Sequence, residues 1–180
     1  MTIRTARIGA ILSAALFLLT AAFVLSRSHR AARPSAAAPL QISCEVKPLG
    51  AENWSHEIKA DDGATVRWRV HVLNTGERAV ENLCVRDIVP TGMTLVPGSV
   101  TVANTAHPDG VSVSDSIIEN TGMNLGAFAP GGGAWIYFNT VIDRTANETE
   151  GNLILRNIVQ TSGGSSTGTV EAAADVILEA

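Results

Sequence analysis

Within residues 65–73, TVRWRVHVL, the chain alternates: Val66, Trp68, Val70 and Val72 fall on one side, Arg67, Arg69 and His71 on the other. Successive side chains of an extended chain point to opposite faces, so this period of two describes a strand with one face in a core and one in water. It gives no coherent apolar stripe to a helix. Asn74-Thr75-Gly76 then breaks the pattern, as a turn would, with Gly76 suited to a positive φ. A second run, AVENLCVRDIV, places Leu83 and Val85 toward the same core and stops at Pro90-Thr91-Gly92, where proline has no N–H for a ladder.

The same grammar continues downstream. Strands are expected over residues 99–104, 112–118, 134–143, 153–161 and 167–178, separated by the turn-forming stretches HPDG, APGGG and SGGSS. Nothing beyond residue 40 has a helical period. About seven to nine short strands in residues 41–180 predict an all-β fold, an immunoglobulin-like antiparallel β-sandwich. Trp68 and Trp135 are expected in its core, while Trp54, in a less regular stretch, is expected at the surface.

Ahead of this domain lies a different kind of chain. Residues 1–7 are basic, residues 8–25 are apolar apart from Ser13 and Thr20, and residues 26–40 form an Arg/Ala/Pro linker. At 1.5 Å per helical residue the apolar run reaches roughly 27 Å, close to the ~30 Å of a bilayer's hydrocarbon core. It reads as a signal peptide or a transmembrane helix, the membrane being the partner of residues 8–25. The flanks favour an uncleaved anchor, because Ser26-Arg27-Ser28-His29-Arg30 follows the run where a small-residue cleavage site belongs. Two Arg precede the run and three follow it, so the positive-inside tendency does not by itself export the domain.

Without the five Arg of this leader, eight Lys plus Arg face seventeen Asp plus Glu, a balance of −9. Such a domain is poorly matched to nucleic acid. Asp61, Asp62, Asp109 and Asp115 are scattered and form no calcium loop, and two Cys with four His give no zinc spacing. His71, Asp87 and a serine are the materials of a hydrolytic triad, but no GxSxG elbow accompanies them. APGGGA lacks the Gly-Lys-Ser/Thr of a phosphate loop. No enzyme, cofactor or metal is expected.

The stretch WRVHVLNTGERAVENLCVRDIVPTGMTLVPGS resembles the conserved-repeat domain of bacterial and archaeal envelope proteins, the eleventh domain of unknown function. The resemblance rests on Asn74-Thr75-Gly76, on Asp87 with Pro90 and Gly92, on LGAFAPGG with its Pro130 and Gly131, and on the late strand RNIVQTSG. Val89 stands where that family usually has Leu. It covers roughly residues 42–178, one copy, and implies an extracytoplasmic immunoglobulin-like module with a structural or adhesive role, anchored by its N-terminus or secreted. Asn74 and Gly76 would shape a turn, Asp87 would cap or bond backbone at a strand end, and Pro90 and Gly92 would fix a corner.

Two alternatives stand beside this reading. One is a carbohydrate-binding accessory module that uses Trp54 against envelope polysaccharide; the other is an assembly subunit that pairs with envelope proteins through an edge strand at residues 167–178. Cys44 and Cys84, an even count in an exported domain, are candidates for a disulfide. Alternation opposes that bond by turning Cys84 outward, away from Leu83 and Val85.

Overall fold

The computed structural model describes residues 40–146, 151–164 and 168–179, and the N-terminal segments expected at 1–7, 8–25 and 26–39 lie outside them. Among the described residues, no helix is long and apolar enough to cross a membrane.

Among the described residues, eleven strands form two sheets. They are β1 (Leu40–Pro48), β2 (Glu57–Lys59), β3 (Thr65–Asn74), β4 (Cys84–Ile88), β5 (Met93–Leu95), β6 (Thr101–Asn104), β7 (Val111–Ser112), β8 (Met123–Asn124), β9 (Gly133–Ile142), β10 (Leu153–Ser162) and β11 (Val170–Leu178). The first sheet runs β1-β3-β9-β6-β7, with β5 also on β9. The second runs β2-β11-β10-β4-β8. Every pairing is antiparallel except β2 with β11.

Alternation sets which face each strand buries. On β3, Val66, Trp68, Val70, Val72 and Asn74 point inward; on β9, Ala134, Ile136, Phe138, Thr140 and Ile142 do the same. The second sheet answers with Val85, Leu155, Val159, Val176 and Leu178. Trp68 is fully buried, its ring stacked on Phe138 and its indole N–H donating to Thr140 Oγ1 at 2.9 Å. A buried indole needs such a partner for its single polar atom.

Four expectations are corrected. Trp135 is not a core residue: its neighbours Ala134 and Ile136 take the inward positions, so period two turns Trp135 to the outer face. The strand expected at 112–118 is only Val111–Ser112, followed by a 3-10 turn at Asp115–Ile118. There the Asp115 carboxylate takes the amide of Gly98, and Ile117 drops into the core. Within the stretch expected as an edge at 167–178, β11 begins at Val170, and β2 covers its outer side over Asp175–Ile177. Finally, the run 79–89 is a strand only from Cys84, with Val80 making an isolated bridge to Phe128.

One strand is split for a visible reason. β5 pairs with the C-terminal half of β9 and β6 with its N-terminal half. Between them sit Pro97, which cannot donate, and Gly98 at φ +70°. The amide of Val96 still reaches Asn139 O at 2.9 Å, so the ladder bulges without being lost.

Candidate functional site

Two buried polar sites and one outer face hold the side chains singled out by sequence. The first site is Asn74, wholly buried at the end of β3. Its amide nitrogen donates to Arg78 O at 2.7 Å and to Phe128 O at 2.9 Å, and its Oδ1 accepts the N–H of Gly76 at 3.0 Å. Its backbone bonds Gly132 O and the Gly131 amide. Asn74 thus ties the Asn-Thr-Gly turn to the Ala-Pro-Gly-Gly turn, where Pro130 and Gly131 are exposed. The positive φ lies at Gly131 (+74°) and not at Gly76, whose amide is instead fixed by the asparagine side chain. At the next corner the Met93 amide reaches back to Pro90 O at 3.1 Å, and Gly92 carries φ +94°.

Asp87 departs from its expected role. It caps no strand end: it lies inside β4 with its side chain in the core, 2 % exposed, accepting the Asn157 amide at 2.7 Å. Asn157 comes from β10, two residues along from Asp87's cross-strand partner Val159. Asp87 Oδ2 and Asn157 Oδ1 are both buried without a hydrogen-bond partner. Both atoms are acceptors, and a proton on the Asp87 carboxyl would supply the donor that this pair lacks. Burial raises the Asp87 pKa to about 7, against the opposing pull of the Asn157 hydrogen bond.

Cys44 borders this pair from the other sheet. Burial first, then the charge of Asp87, push its thiol pKa up, so it is held as an unreactive thiol. Cys44 and Cys84 are both free. The expected disulfide is absent for the reason alternation gives: Cys44 points into the core, whereas Cys84 points outward, beside Val85, which points in. Cys84 lines a polar hollow of about 170 Å³ with Arg86, Gln160 and Ser162. His71 and Asp87 lie on opposite sides of a sheet and form no triad.

The outer face of the first sheet gathers residues that composition alone scattered. Trp54 is half-buried: Ser55 bridges to Val46 at the edge of β1, and this carries the Trp54 ring back over the sheet. Lys47 Nζ sits 4.8 Å from its ring centroid, Arg69 4.6 Å, and the Tyr137 ring 6.1 Å. Arg69 also lies 5.0 Å from the Trp135 ring, and Arg67 lies 5.3 Å from that of Tyr137. His71 stacks on Trp135 at 3.9 Å, and burial followed by the charge of Arg69 lowers its pKa. Arg69 is held by Glu45, through Nε at 3.0 Å and Nη2 at 2.6 Å. Each of these contacts is a cation–π or cross-strand pair of modest strength, but together they order one surface.

Lys47 and Tyr137 were not singled out from sequence, Arg67 and Arg69 were read only as the outward face of one strand, and Trp135 was expected in the core. Their signal was present, since each occupies an outward position of an alternating strand, but nothing in one strand says which strand lies beside it. Among the described residues, no three His, Cys, Asp or Glu side chains converge as metal ligands.

No family model matches this chain, and no curated protein matches it. Among solved structures it is similar to the major pilin subunit BcpA of Bacillus cereus, with TM-score 0.52 and 11% identity over 78% of this chain. The chain spans only 40% of that pilin's length. It is also similar to the N-terminal domain of the Streptococcus gordonii adhesin Sgo0707 (TM-score 0.49, 15% identity, 77% of this chain, 32% of that one). A family 123 glycoside hydrolase from Clostridium perfringens matches at TM-score 0.39 and 12% identity, over 78% of this chain and 27% of that one. At these identities the likeness concerns the fold: an all-β sandwich of two sheets.

Proposed function

We propose that the chain is a non-catalytic, immunoglobulin-like module of the cell envelope, one copy of the conserved-repeat domain that its turn motifs resemble. It acts outside the cytoplasm as a structural or adhesive element, tethered through residues 8–25 or released after their removal. The observation that carries this reading is the division of labour in the fold. Asn74, Asp87 and the Pro-Gly corners are consumed in holding strands and turns, while the outer face of the first sheet presents ordered aromatic and cationic side chains. The likeness in fold to a pilin subunit supports the same reading.

Intact cells treated with a membrane-impermeant maleimide test it. Cys84 is half-buried at the surface and free, so it labels without reduction, whereas buried Cys44 does not. Label that enters only after the membrane is broken places the domain in the cytoplasm and overturns the proposal.

A further inference from the structure

The outer face of the first sheet carries charge opposite to the rest of its domain. Three of the eight Lys and Arg beyond residue 40 (Lys47, Arg67 and Arg69) stand there, with two of the three Trp and the single Tyr of the chain. Lys47 and Arg67 are direct cross-strand partners. Like charges set opposite each other on neighbouring strands cost stability. Among the described residues, neither makes an ion pair: Glu45 is engaged with Arg69, Lys47 donates to Ala51 O, and Arg67 lies against the Tyr137 ring. Two adjacent cations without a counter-ion, on an ordered and accessible face, are complementary to an anion.

The shape of the face narrows the choice of anion. The main-chain groups of β3 and β9 are taken by their neighbours, and the outer edge of β1 is bridged at Val46 by Ser55. An extended peptide therefore finds little free main chain on β3 and β9, the strands that carry Arg67, Arg69, Trp135 and Tyr137. Rings and cations alternate instead: Lys47 and Arg69 at Trp54, Arg69 again at Trp135, Arg67 at Tyr137. A bare stacking platform for a neutral sugar is not what this offers, because each ring already has a cation against it.

We infer that this face binds an acidic polysaccharide, a polymer whose units each combine a carboxylate with an apolar C–H face. The carboxylates meet Lys47 and Arg67, and the sugar C–H surfaces meet the edges of Trp54, Tyr137 and Trp135. An acidic polypeptide supplies the charge without the flat apolar surface. The ligand class rests on the envelope reading above, but its test is separate from the labelling of Cys84. External labelling without polysaccharide binding removes this ligand and leaves the module outside; cytoplasmic location removes the module reading itself.

The experiment is a titration of the purified full chain, in detergent, with polygalacturonate, read by calorimetry and by tryptophan fluorescence. Dextran and polyglutamate of matched length run in parallel. The expected result is saturable binding of polygalacturonate alone, weakened by added salt. Lys47→Ala with Arg67→Ala should lower affinity roughly tenfold or more, the loss expected when charge-assisted hydrogen bonds are removed. The melting temperature should not fall, and Arg67→Lys should retain part of the affinity. Equal binding of polyglutamate would overturn the inference in favour of an acidic polypeptide, and equal binding of dextran in favour of neutral-sugar stacking. No binding of polygalacturonate at low salt, or undiminished binding by a folded double variant, would overturn it outright.

Discussion

The interior of this sandwich and the outer face of its first sheet both use polar side chains, in opposite ways. Inside, Asn74 meets three partners, and Asp87 meets Asn157 over 2.7 Å. The bonds from Asn74 to Phe128 O and between Asp87 and Asn157 are shielded from water, so leaving one unmade carries the full desolvation cost of the abandoned group. Outside, Arg69 bonds Glu45 with each side chain about a quarter exposed or less (24% and 22%), and Lys47 and Arg67 carry charge with no ionic partner among the described residues. Water screens those groups, and their loss barely touches the fold. Polar residues in the interior therefore specify the architecture, and those on the face remain available to a ligand.

Substitutions sharpen this contrast, beginning with the largest effect. Asn74→Ala takes the side-chain partner from the Arg78 carbonyl and the Gly76 amide and removes one of the two donors to the buried Phe128 carbonyl, which keeps the Val80 amide. At about 1–3 kcal/mol for a buried unsatisfied group, and less where water reaches it, the expected loss is roughly 2 kcal/mol in a denaturant titration. A loss below about 1 kcal/mol would mean that solvent reaches both turns and the interior is not closed there.

The second effect depends on pH. Asp87 has a folded pKa of about 7, raised from 3.8. Between these values the folded chain keeps a proton that the unfolded chain has released, so this group's stabilisation is complete below about pH 4. Stability then falls as pH rises toward 7 and levels off above it. The slope from this one group is at most about 1.4 kcal/mol per pH unit. Asp87→Asn keeps an amide that can donate to Asn157 Oδ1 and has nothing to titrate. Melting curves across pH 4–8 should show a flatter profile for the variant and greater stability than the parent at pH 8; parallel profiles would show that Asp87 does not carry the proton.

Smaller effects follow. Gly131→Ala forces a Cβ onto a residue at φ +74° with open space around it, so only backbone strain counts, about 1 kcal/mol by thermal melting. Trp135→Ala and Arg69→Ala, on the outer face, should each cost less than about 1 kcal/mol. A Trp135 variant that fails to fold would place that ring in the core after all and erase the distinction between the two regions.

Much of the interior was legible in the sequence because it is periodic. TVRWRVHVL fixes its own inward face, and Trp68 lies where alternation puts it. The same rule, applied to the strand around Trp135, turns that ring outward; its aromatic character had outweighed its parity. The Asp87–Asn157 pair was half legible, since both residues belong to motifs that the sequence displays. Their meeting depends on β4 lying beside β10, a neighbour relation that no local pattern encodes. The outer face was hidden for the same reason: Lys47, Trp54, Arg69 and Trp135 come from four separate stretches and become one surface only through the order of the strands. A net charge of −9 also pointed away from any cationic surface, because a sum over a domain carries no information about segregation.

The most direct test is to map, by amide chemical-shift changes in the isotope-labelled full chain, which of the two sheets responds to polygalacturonate. Changes concentrated on β1, β3 and β9, around Lys47, Arg67, Arg69, Trp135 and Tyr137, with β4 and β10 silent, are the predicted outcome. Changes centred instead on the hollow at Cys84, Arg86 and Gln160 would contradict it and move the contact surface to the second sheet.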